Sequence, residues 1–140
     1  MSEFFIKQAF AEAIDLQKNQ KYDEAKKLYE KILKRDSKDA NARHLIALIY
    51  MAEGNFTEAK KNIEIAIDQA PDQPIFHSNY GALLHSMGNH KEAVVALEKS
   101  IKLDDKLFQS YYSLGIAYSD LNQNEKAVEA YHKALDVNNK

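Results

Sequence analysis

Residues 6 to 139 repeat with a period of 34 and without a single insertion. Tyr80-Gly81-Ala82-Leu83-Leu84, Glu92-Ala93 and Ser100-Ile101 return one period later as Leu114-Gly115-Ile116-Ala117-Tyr118, Lys126-Ala127 and Ala134-Leu135. One period earlier they are Ile46-Ala47-Leu48-Ile49-Tyr50, Glu58-Ala59 and Ala66-Ile67, and before that Glu12-Ala13-Ile14-Asp15-Leu16, Glu24-Ala25 and Ile32-Leu33. A chain of this kind needs no single central core, because each copy buries its apolar face on its neighbours. The expected organisation is one array over residues 1–140, with copies 6–39, 40–73, 74–107 and 108–140.

Within a copy, counting from Ile6, Ala40, Pro74 or Phe108 as position one, positions four, seven, eight and eleven recur at helical spacing, as in Tyr111, Leu114, Gly115 and Tyr118. They mark the buried stripe of a first helix, A. Polar turns follow at Asn19-Gln20, Gly54-Asn55, Gly88-Asn89 and Asn122-Gln123. A second helix, B, then passes through the alanine of each copy, in the third from about His90 to Leu103. Small residues at position eight (Ala13, Ala47, Gly81, Gly115) and position twenty (Ala25, Ala59, Ala93, Ala127) are expected where the A and B axes cross, since axes about 8–10 Å apart leave no room for bulk. Glu12, at an apolar position of the first copy, fits a helix with one side in water.

This 34-residue pattern of small residue, Leu or aromatic, alanine and closing turn resembles the tetratricopeptide repeat family over nearly the whole chain. The copies depart from the family pattern at the Trp position, which holds Ala9, Arg43, His77 and Tyr111, and the closing Pro survives only as Pro71. The resemblance implies an all-α, right-handed solenoid of four antiparallel helix pairs whose A helices line a concave groove for peptides or partner helices. It also implies a protein-interaction module rather than an enzyme.

Several function classes lose support on composition. With 45% hydrophobic and 29% charged residues and no long apolar run, no membrane span is expected. The start, Met1-Ser2-Glu3-Phe4-Phe5-Ile6-Lys7, lacks a basic leader, so a cytoplasmic chain is expected. Zero cysteines remove disulfides, thiolate metal sites and cysteine nucleophiles. A net charge of −2, with acids and bases spread over all copies, forms no basic stripe for a nucleic acid. The four glycines stand apart, so none cradles a phosphate, and no nucleophile–base pair can be placed by spacing. Neither cofactor nor metal is expected: His85 and His90 are separated by the A–B turn, and His77 and His85 project about 80° apart on a 3.6-residue helix.

Binding residues are sought on a second stripe of helix A, positions five, nine and twelve, about 120° round from the buried one. It reads Phe10, Ile14, Gln17; His44, Leu48, Met51; Ser78, Ala82, His85; Tyr112, Ile116, Ser119. Seven of the twelve are apolar or aromatic, more than a solvated face carries. Peptide contact is therefore expected from Phe10, Ile14, His44, Leu48, Met51, His85, Tyr112 and Ile116, with Leu45 and Asn79 beside them. Packing between A helices is the competing role for Ile14, Leu48 and Ile116. The B helices carry lysines among acids, as a solvated back does.

Chaperone-binding members of the family clamp a C-terminal carboxylate with Lys, Asn and Arg at fixed positions of three consecutive copies. Here those positions hold Phe10, Ile14, Leu45, Ile75 and Asn79 or, in the next register, His44, Leu48, Asn79, Gln109 and Ser113. Only Asn79 matches, and without fixed cations the clamp has no charge-assisted anchor. The expected partner is instead an extended or helical apolar segment of a protein. Two other roles remain open: the targeting region of a larger enzyme such as a glycosyltransferase, or a self-assembling scaffold. For the last, Val128, Tyr131 and Leu135 on the final B helix are expected to lie uncovered and to pair with further chain or with a second copy.

Overall fold

A computed structural model describes residues 2–139. Its helices are α1 (Glu3–Lys18), α2 (Tyr22–Arg35), α3 (Ala40–Ala52), α4 (Phe56–Gln69), α5 (Pro74–Ser86), α6 (His90–Leu103), α7 (Phe108–Asp120) and α8 (Asn124–Asn138), with no strand among the described residues. Odd-numbered helices are the A helices and even-numbered ones the B helices. Two compact units divide at Pro71 and Asp72, so α1–α4 form one and α5–α8 the other. Each unit is built from two helical hairpins.

All four hairpins turn in the same way, and the sequence explains how. Gln20, Gly54, Gly88 and Asn122, one period apart, have φ of 61°, 77°, 83° and 60°. A left-handed residue just past a helix lets the chain reverse while closing the last carbonyls. The amides of Lys21, Asn55, Asn89 and Gln123 donate to the carbonyls of Leu16, Tyr50, Leu84 and Tyr118 at 2.8–2.9 Å. The amides of the left-handed residues themselves donate to Gln17, Met51, His85 and Ser119 at 2.9–3.0 Å. Both bonds of a Schellman motif are thus present four times. Side-chain caps start several helices: Asp39 accepts from the Ala42 amide at 3.0 Å, Asn55 accepts from Glu58, and Pro74 opens α5, where a missing amide proton costs nothing.

Each hairpin closes on its small residues. Positions eight and twenty are buried in every copy. A Cβ on Gly81 would stand 2.5 Å from Cγ of Leu97 and 3.3 Å from the Ala93 carbonyl oxygen, and one on Gly115 would stand 2.5 Å from the Tyr131 ring. In the first unit Ala13, Ala25, Tyr29, Ile32, Ile46 and Ile49 join α1, α2 and α3 into a core; in the second, Leu84, Ala93, Leu97, Leu114, Ala117 and Ala130 join α5 to α8. Burial on α1 is confined to Ala13, in keeping with exposed Glu12, whereas α3 and α5 each bury both apolar and polar side chains.

The second unit contains a buried polar seam that periodicity does not reveal. The Ser100 hydroxyl of α6 donates to the Pro74 carbonyl at 2.9 Å and lies 2.8 Å from the Ser110 hydroxyl of α7, which donates to Ser78 of α5 at 3.0 Å. All three serines are fully buried. Because each hydroxyl meets another polar atom, the seam ties three helices together without leaving a desolvated group alone.

Candidate functional site

The A-helix stripe divides by position. At position five, Ser78 of α5 faces α7: it takes a hydrogen bond from Gln109 Nε2 at 2.9 Å as well as from Ser110. His44 shares that position and is 6% exposed. The structure thus buries a residue expected at a peptide contact, and burial lowers its imidazole pKa to about 4. Phe10 is half-buried with its ring 6.1 Å from that of Tyr29, and Tyr112 is 49% exposed, stacked on Phe108 at 5.8 Å.

Positions nine and twelve stay accessible. Ile14 is 37% exposed, and Leu48, Met51 and Ile116 are half-buried, as is Leu45 beside them. In the first unit these residues make an apolar face along α1 and α3. The Gln17 amide oxygen accepts from the Tyr29 hydroxyl at 2.8 Å, which ties the side chain to α2. In the second unit α5 and α7 contain neither Lys nor Arg, and the Asn79 side-chain oxygen accepts from Gln109 Nε2 at 3.2 Å. The one residue matching a carboxylate clamp is thus engaged within the protein.

His85 sits differently from the sequence expectation. The turn that separates it from His90 in sequence brings the two rings together, Nδ1 to Nδ1 at 2.9 Å, because Gly88 in the left-handed region folds the start of α6 back beside the end of α5. Asp120, the last residue of α7, completes the group: its Oδ2 is 3.3 Å from His85 Nε2 and 4.0 Å from His90 Nδ1. Spacing along one helix could not show this, since the three residues come from three helix ends.

On the final B helix, the expected uncovered patch separates into two kinds of residue. Val128 and Leu135 are each 54% exposed. Tyr131 is half-buried: its ring occupies the space that Gly115 leaves by lacking a Cβ and lies 6.0 Å from the Tyr112 ring. Its counterpart Leu97 likewise packs against Gly81 of its own hairpin.

A cleft of about 300 Å³ between α6, α7 and α8, unforeseen in the sequence, is lined by Ile101, Tyr111 and Leu114 below and by Glu98, Lys126, Glu129 and Lys133 at its rim. The Tyr118 hydroxyl donates to Glu98 at 2.8 Å, and burial, reinforced by that bond and the charge of Glu98, pushes its pKa up to about 12. Lys126 lies 5.6 Å from the Tyr118 ring centre. The tyrosine therefore stays protonated at neutral pH.

Helical hairpins with small residues at each crossing and Schellman turns one period apart are the anatomy of one repeat family, and comparison with known proteins agrees. Two family models, both described as tetratricopeptide repeat, match residues 16–83 and 72–140. The chain is a tetratricopeptide repeat protein, with the all-α solenoid fold of that family. It is 33% identical over 92 residues to small glutamine-rich tetratricopeptide repeat-containing protein 2 of Saccharomyces cerevisiae, a match covering 61% of this chain and 27% of that protein. It is also 33% identical over 93 residues to the heat-shock protein cognate (HSC) co-chaperone sgt12 of Aspergillus fumigatus, covering 61% and 27%. The chain thus matches about a quarter of the length of these relatives. Among solved structures, MamA superposes with a TM-score of 0.85 at 21% identity, over 96% of this chain and 78% of that one, a likeness of fold alone. Among the described residues, no helix of this tetratricopeptide repeat protein is long and apolar enough to cross a membrane.

Proposed function

We propose that this tetratricopeptide repeat chain is a non-catalytic protein-binding module that holds an extended or helical apolar segment against the open faces of its A helices, in the cytoplasm. The observation that carries this reading is that the A helices of each unit keep apolar side chains accessible, Phe10, Ile14, Leu45, Leu48 and Met51 in the first and Tyr112 and Ile116 in the second. Met and aromatic residues give adaptable, low-entropy contact area, and recognition is hydrophobic. The absence of Lys and Arg from α5 and α7 argues against a carboxylate-clamped tail, and the mixed surface charge argues against nucleic acid. The co-chaperone relatives are consistent with a protein partner but carry no identity across to this chain.

A random peptide library displayed against the chain tests the proposal. Selected peptides should be rich in Leu, Ile, Phe and Met, and should lose binding to Leu48→Glu with Met51→Glu while keeping it for a B-helix control such as Lys61→Glu. Acidic, apolar-poor peptides, or peptides indifferent to the double substitution, would show that the A-helix face is not the site.

A further inference from the structure

We propose that His85, His90 and Asp120 form a binding site for a divalent transition ion of the zinc class. One ligand atom from each of the three side chains lies within 4.8 Å of the others. A tetrahedral zinc ion with bonds of about 2.0–2.1 Å holds its ligands about 3.3–3.4 Å apart. With Nε2 of His85, Nδ1 of His90 and Oδ2 of Asp120 as the ligand atoms, the carboxylate oxygen lies 3.3 Å from the first nitrogen and 4.0 Å from the second, close enough for small rotations about the side-chain bonds to converge the three groups on one point.

The scaffold under the cluster is rigid. The His85 carbonyl accepts the Gly88 amide of the turn at 2.9 Å, and His90 is the first residue of α6, so two ligands are set by one closed Schellman motif. The third is brought by α7, which packs on both α5 and α6. The other copies do not repeat the set: the position of His90 holds Tyr22, Phe56 and Asn124, that of His85 holds Gln17, Met51 and Ser119, and that of Asp120 holds Lys18, Ala52 and Ser86. Packing alone is met by Tyr22 or Phe56 at that helix start, so it does not require a histidine there.

Two imidazoles and one carboxylate select zinc, copper or nickel over magnesium and calcium, which take oxygen ligands almost exclusively. The three side chains are 26%, 28% and 47% exposed, so the fourth coordination position opens to water. With three protein ligands and one solvent position, the site is of the open kind.

Zinc titration of the metal-free chain by calorimetry, with Co²⁺ absorption as the geometric readout, decides the matter. The expected result is saturable one-to-one binding, a tetrahedral Co²⁺ spectrum and a higher melting temperature when zinc is present. His90→Phe, which restores the residue of the second copy, and Asp120→Asn should each weaken binding at least about tenfold, since even outer-sphere partners cost that much. Circular dichroism establishes that both variants remain helical, and His132→Asn should bind zinc as the parent does. Equal zinc affinity in parent and His90→Phe, absence of one-to-one saturation, or a Co²⁺ spectrum of the hydrated ion would overturn the assignment.

Discussion

Gly81 and Gly115 occupy the same position of consecutive copies, yet their surroundings differ in how far they can yield. An alanine normally gains about 1 kcal/mol over glycine inside a helix. At Gly81 the added methyl meets Leu97, which is fully buried, and the Ala93 carbonyl behind it. Overpacking of a closed site costs about 1–3 kcal/mol, so Gly81→Ala should lower stability on balance. At Gly115 the obstacle is the half-buried Tyr131 ring, which can turn toward solvent. Thermal melts should therefore show a larger loss for Gly81→Ala than for Gly115→Ala, and the reverse order would mean that the α5–α6 crossing is not closed around Leu97. His44 gives a pH signature. Its folded-state pKa, about 4, lies below the ordinary 6.5, so the unfolded chain binds the proton more readily. Stability from the neutral ring is complete above about pH 6.5 and is lost as pH falls towards about 4, at most at roughly 1.4 kcal/mol per pH unit. Urea unfolding across that window should show a shallower pH slope for His44→Leu than for the parent; equal slopes would assign the acid sensitivity to other groups.

At the scale of the element, the four turns are one device made with unequal residues. Glycine and asparagine enter the left-handed region easily, whereas glutamine pays about 1–2 kcal/mol there. Gln20, at φ 61°, is the strained member. Gln20→Gly should relieve that strain while adding about 0.4–1 kcal/mol of unfolded-state entropy, leaving a net gain of up to about 1.6 kcal/mol. Chemical denaturation measures this directly, and a loss of stability would show that the Gln20 side chain makes a contact worth more than the backbone strain. The turn residues were legible in the sequence because they are polar and recur at a fixed period. The serine seam was not, because a serine at a helical position is equally at home in water, and only the neighbouring α7 makes Ser78 and Ser100 internal.

Across the molecule, protection from hydrogen exchange should follow burial rather than helix length. The longest helix, α1 at 16 residues, buries only Ala13, while α3 at 13 residues buries Ala42, His44, Ile46, Ala47 and Ile49. Local opening costs least where few apolar contacts are lost. Amides of α1 should therefore exchange well before those of α3 in native conditions, and equal protection would mean that the two helices open only together. Surface charge gives no comparable ordering, since exposed ion pairs such as Lys61 with Glu58, at 3.9 Å, contribute little.

The period of 34, the small residues at fixed places and the polar turns were enough to specify the helical hairpins of the described residues, because these are local requirements repeated in each copy. They were also enough to pick out an apolar A-helix stripe. Which members of the stripe remain open was decided by tertiary packing: Ser78 turns inward to Gln109 and Ser110 of α7, His44 at the same position is buried, and Ile14 and Tyr112 stay exposed. Tyr131 joins its own hairpin because Gly115 leaves room for its ring. The His85, His90 and Asp120 cluster belongs wholly to tertiary structure. Helical periodicity relates residues on one helix, whereas these three meet only because a closed turn and a packed third helix bring separate helix ends to one place.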